Sequence, residues 1–164
     1  RRLCIRDRYW LLYYWCNFSK IFSKFSNRKS MNQKLIQTAM EMRNRSYAPY
    51  SNYQVGAAVE TESGEIIGGC NVESSSYSLT CCAERTALFR AIAEGHTSFR
   101  ALAVATENGG SPCGACRQVI WDLCKEIPVH ICDKKGWVKT LTSSELLPDA
   151  FDDSDLEPFN KLNV

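Results

Sequence analysis

Apolar residues along the chain follow two different spacings, and the change from one to the other predicts the order of helices and strands. Residues that recur three to four positions apart, such as Leu35, Ile36 and Ala39, predict an amphipathic helix. Short apolar runs bounded by Gly, Asn or Ser predict strands. The predicted elements are helix 32–46, a hairpin of strands 53–58 and 65–72, helix 82–93, strand 100–106, helix 112–125, strands 127–132 and 137–141, and a helical turn at 143–147.

This alternation of helices and strands predicts an α/β fold. The near-continuous apolar run 100–106 indicates a central strand that is covered on both faces. A chain of 164 residues is long enough for one well-buried core and too short for two ordinary domains. We therefore predict a three-layer α/β/α sandwich with a mixed five-stranded sheet.

Charge divides the chain near residue 30. Residues 1–30 contain eight basic residues and one acidic residue, a net charge of +7, whereas the remainder contains 12 basic and 17 acidic residues, a net charge of −5. We interpret residues 1–30 as a leader or non-native extension that is expected to be disordered. A transit-like leader and an arm that binds membrane surfaces or nucleic acid are the alternatives. The domain is then predicted at 31–156 and a tail at 157–164.

Composition excludes several classes of function for the predicted domain. Its mildly acidic balance is unlike that of nucleic-acid-binding domains, so we expect no nucleic-acid partner. No apolar run is long enough to span a bilayer, so we expect no membrane partner. Nine cysteines would suggest disulfides in a small secreted protein, but three of them have metal-ligand spacing. We therefore expect a reducing, cytoplasmic location.

Two cysteine motifs carry the candidate chemistry. The segment 82–85 (C-A-E-R) places a carboxylate two residues after a thiolate, and the segment 112–117 (P-C-G-A-C-R) supplies two further thiolates. Three thiolates make an open zinc site, because a tetrahedral ion keeps its fourth position for water. Glu84 is then the natural proton carrier for that water. Both motifs begin predicted helices, whose positive ends stabilise thiolates. The predicted zinc ligands are Cys82, Cys113 and Cys116.

These motifs, together with N-V-E at 71–73 and the glycine-rich hairpin, resemble the zinc-dependent cytidine deaminases of the small, three-cysteine subclass over residues 31–156. The resemblance implies hydrolysis of cytidine and deoxycytidine to uridine and deoxyuridine in pyrimidine salvage. It implies zinc-activated water with Glu84 as the proton shuttle. It also implies a homotetramer with shared active sites, and an Arg85 that hydrogen bonds the ligand sulfurs.

The resemblance also implies a set of substrate-binding residues. Asn71 and Glu73 point to the same face of a strand and hold the ribose 3′-hydroxyl in the family. A carboxylate there accepts a hydroxyl hydrogen bond but repels phosphate, which favours a nucleoside over a nucleotide. Tyr53 stands where the family usually has phenylalanine beside the pyrimidine, and its hydroxyl needs a partner. The remaining implied residues are Ala83, Tyr77 and Phe151, of which the last two match positions that reach a neighbouring subunit's active site.

Two other functions are compatible with the motifs. One is a deaminase of the same fold acting on another aminated heterocycle, such as blasticidin S. The other is a non-catalytic, zinc-stabilised binding module with Cys81 as a fourth ligand, although the adjacent Cys81 and Cys82 would struggle to reach one ion. The other cysteines are expected to be ordinary thiols, namely Cys4, Cys16, Cys70, Cys124 and Cys132.

Overall fold

The computed structural model describes residues 32–155, so the predicted leader 1–30 and tail 157–164 lie outside the described residues. No helix in the described range is long and apolar enough to cross a membrane. The elements are α1 (Gln33–Arg43), β1 (Gly56–Thr61), β2 (Ile66–Cys70), α2 (Ala83–Ala93), β3 (Phe99–Ala105), α3 (Gly114–Cys124), β4 (Pro128–Asp133), β5 (Gly136–Thr142) and α4 (Ser143–Leu146), with 3-10 turns at Tyr77–Leu79 and Asp153–Asp155.

The five strands form one mixed sheet in the order β2-β1-β3-β4-β5. Strand β1 pairs antiparallel with β2 and β3, β3 pairs parallel with β4, and β4 pairs antiparallel with β5. A parallel pair needs a crossover connection, which α3 supplies between β3 and β4. The predicted mixed five-stranded sheet is confirmed, and a short loop leads from the end of β3 to the second cysteine motif.

Alternate residues of the strands point to opposite faces of the sheet, and helices cover both faces. A side chain at Gly68 would meet Met42 of α1, whereas one at Gly69 would meet Ala87 of α2. The larger core lies between the sheet and helices α2 and α3. Each fully buried Leu, Ile or Val side chain in this core contributes roughly 1.5–3 kcal/mol to the free energy of folding. Its fully buried members include Val59, Leu88, Leu102, Ile120, Val129 and Ile131.

Two glycines let the helices lie directly on the backbone of the sheet. A Cβ atom at Gly56 would lie 2.1 Å from the Ala39 carbonyl oxygen of α1. A Cβ atom at Gly69 would lie 2.4 Å from the Ala87 backbone nitrogen and 2.9 Å from the Ala83 carbonyl oxygen. The backbones of helix and sheet therefore approach each other closely at both glycines, and the contact at Gly69 places the first turn of α2 against β2.

The hairpin strands differ from the predicted bounds, because β1 begins and ends three residues later than predicted and β2 is shorter than predicted. Strand β1 begins at Gly56 and not at Tyr53. The Asn71 side chain accepts from the Val55 backbone N–H (2.9 Å) and donates to the Tyr53 carbonyl (2.9 Å). Residues 53–55 are thus held by the Asn71 side chain together with one backbone bond, from the Asn71 N–H to the Val55 carbonyl at 3.1 Å, and Tyr53 and Val55 border a pocket.

Candidate active site

The two cysteine motifs meet at the N-termini of α2 and α3. Cys82 is the N-cap residue of α2, Cys113 is the N-cap residue of α3, and Cys116 lies in the first turn of α3. The three sulfur atoms lie within 4.8 Å of one another, with Cys82 Sγ 3.9 Å from Cys113 Sγ. The structure therefore brings together the three thiols that the sequence predicts as zinc ligands.

The donor set of this cluster fits a zinc ion. Three thiol sulfurs from two helix starts are soft ligands at tetrahedral spacing, and such a set leaves one coordination position open. Within residues 32–155 the cluster includes no fourth protein ligand, and Cys81 is not a member of it. This finding is contrary to the binding-module alternative, which needs Cys81 as a fourth ligand.

Hydrogen bonds and charge shift the pKa values of Cys82 and Cys116 in opposite directions. The Cys116 thiol donates to Cys82, and this bond together with Arg85 lowers the pKa of Cys82 to about 5. The same bond, followed by burial, raises the pKa of Cys116. The Arg85 guanidinium donates to Cys82 Sγ at 3.8 Å and to the Thr80 carbonyl at 3.1 Å. Arg85 thus lies where the sequence predicts it, beside a ligand sulfur.

Arg117 is a supporting residue that the sequence reasoning missed. Its Nε donates to the Pro112 carbonyl (2.8 Å), and its Nη1 donates to the Leu146 carbonyl (2.9 Å). These two bonds connect the turn that carries Cys113 to the last residue of α4. The sequence did contain a hint, because Arg117 directly follows Cys116 in the first turns of a predicted helix. A positive charge near a helix N-terminus gains nothing from the helix dipole, so another role for this arginine could have been expected.

Glu84 is a buried carboxyl group beside the thiol cluster. It is the second residue of α2 and only 4% exposed. Burial raises the pKa of Glu84 to about 7, and the negative charge of Cys82 acts in the same direction. A carboxyl group with this pKa can both hold and release a proton near neutral pH.

One pocket of about 190 Å³ joins the thiol cluster to the end of the hairpin. Its wall includes six of the predicted site residues: Tyr53, Asn71, Glu73, Cys82, Glu84 and Cys113. Sequence reasoning missed the rest of its lining, because these small or common residues form no motif. They are Ser51, Val55, Thr80, Val104, Thr106, Gly110 and Ser111.

Glu73 and Asn71 lie together on the pocket wall but differ in what they bond. The Glu73 carboxylate accepts from the Tyr50 N–H (2.9 Å), the Ser51 N–H (3.2 Å) and the Ser51 hydroxyl. The Ser51 hydroxyl and these two backbone donors lower the pKa of Glu73, and they outweigh the opposing effect of burial. Asn71 is buried, and its amide organises residues 53–55 while retaining one N–H for a ligand.

The Tyr53 hydroxyl has a hydrogen-bond partner, which the sequence alone could not identify. Its Oη donates to Asn108 Oδ1 at 2.8 Å, across 55 residues of sequence. Its ring lies on the pocket wall and remains 42% exposed. Asn108, in the loop before Pro112, is therefore a further residue that sequence reasoning missed.

Three of the predicted substrate-binding residues do not line this pocket. Ala83 is fully buried in the first turn of α2. Tyr77 is 73% exposed and packs edge-on against Tyr50, with ring centroids 5.8 Å apart. Phe151 is 58% exposed, and its carbonyl accepts from Gln118 Nε2 at 2.7 Å. Their roles, including contact with a neighbouring subunit's site, stay predictions.

Comparison with known proteins identifies the family. The family model described as the cytidine and deoxycytidylate deaminase zinc-binding region matches residues 29–131. A cytidine deaminase from Sporosarcina psychrophila is 49% identical over 127 residues, which cover 76% of this chain and 93% of that protein. The crystal structure of cytidine deaminase from Burkholderia pseudomallei is 48% identical with a TM-score of 0.71, covering 74% of this chain and 100% of that one.

A more distant relative bears on the alternative substrate. Blasticidin-S deaminase from Bacillus cereus is 30% identical over 135 residues, covering 76% of this chain and 95% of that protein. Its identity is well below the 49% of the Sporosarcina psychrophila cytidine deaminase. The resemblance drawn from the cysteine motifs is confirmed, and the chain belongs to the zinc-dependent cytidine and deoxycytidylate deaminase family.

Proposed function

We propose that this protein is a cytidine deaminase that hydrolyses cytidine and deoxycytidine to uridine and deoxyuridine, with release of ammonia, in pyrimidine salvage. One observation carries the proposal: the buried Glu84 carboxyl group shares a pocket with the thiol cluster and with the polar end of the hairpin. A metal that served only the fold would need neither a buried acid beside it nor a cavity in front of it.

Cys82, Cys113 and Cys116 would hold the zinc ion. When bound, zinc supplies a Lewis acid that makes water nucleophilic near neutral pH. Three thiolates give such a centre a net charge of −1, and Arg85 beside Cys82 offsets that charge through its hydrogen bond. The helix N-termini at Cys82 and Cys113 act in the same direction, because the positive end of a helix dipole stabilises a thiolate.

Glu84 moves the protons. Its carboxylate takes a proton from the attacking water and delivers it to N3 of the cytosine ring, while the water oxygen bonds to C4. It then carries the second proton to the amino group, which leaves as ammonia. The burial that raises the pKa of Glu84 to about 7 suits a group that must accept and release protons in turn.

The opposite end of the pocket would bind the sugar. Glu73 is negatively charged and accepts hydrogen bonds, and Asn71 beside it retains one donor. A phosphate near this pair would meet like charge, and no Lys or Arg occurs in the sequence between Tyr47 and Glu84. The pocket therefore favours a nucleoside over its 5′-monophosphate, with the Tyr53 ring beside the pyrimidine.

The proposed assembly is a homotetramer of the 31–156 domain in the cytoplasm, in which Ala83, Tyr77 and Phe151 complete the substrate site. Large apolar side chains on the surface support an assembly, because they would be buried by other subunits. These include Tyr77, Leu79, Phe89, Ile92 and Phe151. All seven cysteines between residues 32 and 155 are free thiols, which supports a reducing compartment.

Conversion of cytidine to uridine, measured by the change in ultraviolet absorbance with and without a metal chelator, tests the proposal. We expect turnover that the chelator abolishes and added zinc restores. Blasticidin S, assayed in parallel, distinguishes the second candidate, for which the relative at 30% identity is the supporting observation. Turnover of blasticidin S without turnover of cytidine would favour that candidate, and turnover of neither would contradict both.

A further inference from the structure

The wall of the pocket opposite the hairpin is a short loop, residues 106–111, between β3 and the second cysteine motif. It contributes Thr106, Gly110 and Ser111 to the pocket and leads through Pro112 into the ligand Cys113. We propose that the Tyr53 hydroxyl is a positioning group that fastens this loop, and so sets both the pocket wall and the approach of Cys113. We call this set of contacts the Tyr53 latch, formed by Tyr53, Thr106, Asn108 and Gly110.

The latch is a chain of hydrogen bonds that crosses the pocket wall. Tyr53 Oη donates to Asn108 Oδ1 at 2.8 Å, and the Thr106 hydroxyl donates to the same oxygen at 3.4 Å. The Thr106 oxygen in turn accepts from the Gly110 backbone N–H at 2.7 Å. Because Thr106 is buried at the end of β3, the hydroxyl of Tyr53 is connected through Asn108 to a residue that is enclosed by the fold.

Packing at Gly110 gives a second, independent observation. A Cβ atom at this residue would lie 2.6 Å from Tyr53 Oη and 3.5 Å from Thr106 Oγ1. The backbone of Gly110 is outside the left-handed region, so the chain conformation itself would accept alanine there. Glycine is therefore required at residue 110 only because the tyrosine hydroxyl occupies the space that a side chain would take.

The outer side of the loop is fastened by different contacts. Glu107 is ion-paired with Arg43 of α1 and with Lys134 Nζ at 2.8 Å in the turn between β4 and β5. These pairs face solvent and fix the loop from outside, whereas the Tyr53 latch holds the side that a ligand would touch. Loss of the Tyr53 hydroxyl should therefore loosen the pocket side of the loop without detaching it from the domain.

Phenylalanine at residue 53, the residue usual in the family, keeps the ring and removes only the hydroxyl. A neutral hydrogen bond is worth about a two- to tenfold change in an equilibrium. We expect Tyr53→Phe to raise the amide hydrogen-exchange rate of residues 107–111 about two- to tenfold in the zinc-loaded protein. We expect the KM for cytidine to rise by a similar factor with kcat changed less, a result that rests on the proposed function.

The decisive experiment is a double-mutant comparison with Gly110→Ala. On its own, Gly110→Ala should increase exchange in the loop and raise KM, because the new methyl group collides with Tyr53 Oη. In the Tyr53→Phe/Gly110→Ala variant the space is vacated, so both quantities should return toward the values of Tyr53→Phe alone. Tyr53→Phe should therefore raise loop exchange and KM when residue 110 is glycine and lower both when residue 110 is alanine. A general loss of stability would not reverse sign in this way.

Asn108→Ala and Tyr47→Phe are the matched controls. Asn108→Ala also removes the bond from Thr106, so it should raise loop exchange at least as much as Tyr53→Phe, and adding Tyr53→Phe to Asn108→Ala should add nothing further. Tyr47→Phe removes a hydroxyl from a tyrosine that is 60% exposed and does not line the pocket, so exchange in the loop should be unchanged. Additive effects of Tyr53→Phe and Gly110→Ala, or unchanged loop exchange in Tyr53→Phe, would overturn the proposal. Because hydrogen exchange is measured without substrate, it tests the latch even if the chain does not turn over cytidine.

Discussion

Two glutamates border the same pocket, and the protein gives them opposite properties. Glu84 is 4% exposed at the start of α2, and burial raises its pKa to about 7. Glu73 lies at the open end of the hairpin, where the Ser51 hydroxyl and two backbone N–H groups lower its pKa. The chemistry of each carboxyl group is therefore decided by its surroundings and not by the residue type.

The difference divides the pocket into two ends with separate tasks. At the buried end a carboxyl group can change its protonation state, as proton transfer requires. At the open end a carboxylate keeps its charge and can only accept hydrogen bonds, as recognition of sugar hydroxyls requires. Mutations at the two ends should accordingly affect different kinetic constants, which is the basis of the first three predictions below.

Removing the metal from the buried end should have the largest effect. Cys113→Ala leaves two ligand sulfurs, so we expect bound zinc, near one per chain in the unmodified protein, to be lost and turnover to fall below detection. Metal analysis of the purified variant measures this directly. Cys81→Ala is the matched control, because Cys81 adjoins Cys82 but is outside the cluster, and it should retain its zinc. A Cys113→Ala variant that kept both zinc and activity would disprove the ligand assignment.

Glu84→Gln separates the proton carrier from the metal. The amide has the same shape but cannot shuttle protons, so kcat should fall about a hundred- to ten-thousandfold while zinc content is unchanged. Glu94→Gln, at the exposed end of the same helix, is the control and should retain full activity. Activity of Glu84→Gln within a few-fold of the unmodified protein would exclude the proposed role.

Glu73→Gln tests the open end, and here binding should change more than turnover. Loss of the charged acceptor should raise the KM for cytidine about tenfold. It should also narrow the preference for cytidine over its 5′-monophosphate, because the like charge is removed. The ratio of kcat/KM values for the two compounds is the measurement. Equal ratios in the unmodified and Glu73→Gln proteins would show that Glu73 does not select against phosphate.

Removal of residues 1–30 should have the smallest effect and sets the baseline for the comparison. Both ends of the pocket are built from residues 51–113, and the change in charge and composition occurs before residue 31. We expect kcat, KM and zinc content of the shortened protein to match those of the full chain. An insoluble or inactive product would mean that the domain boundary at residue 31 is wrong.

Local sequence patterns predicted the buried end of the pocket better than the open end. The C-A-E-R and P-C-G-A-C-R motifs each begin a helix, so the placement of Cys82, Glu84 and Cys113 followed from helix geometry. The five strands followed from apolar runs in the same way. These features depend on residues that are near one another in sequence.

The open end depends on contacts between distant residues, which no local pattern encodes. Asn71 replaces strand pairing at residues 53–55, and the Tyr53 hydroxyl finds Asn108 in a loop that contains no motif. The resemblance to the family marked Tyr53 as unusual but gave no partner for it. Side chains that bond across the fold can be identified only once the sheet has brought them together.

The glycine at residue 69 has a consequence for how substitutions in this protein would be interpreted. It lies on a strand that contributes no chemistry, yet its missing side chain sets the distance between the sheet and the turn that carries Cys82 and Glu84. The other two sulfurs of the thiol cluster belong to Cys113 and Cys116 at the start of α3. A larger residue at position 69 would displace one half of the zinc site relative to the other and depress metal content and turnover together. Judged by phenotype alone, a residue with no contact to metal or substrate would be mistaken for part of the active site.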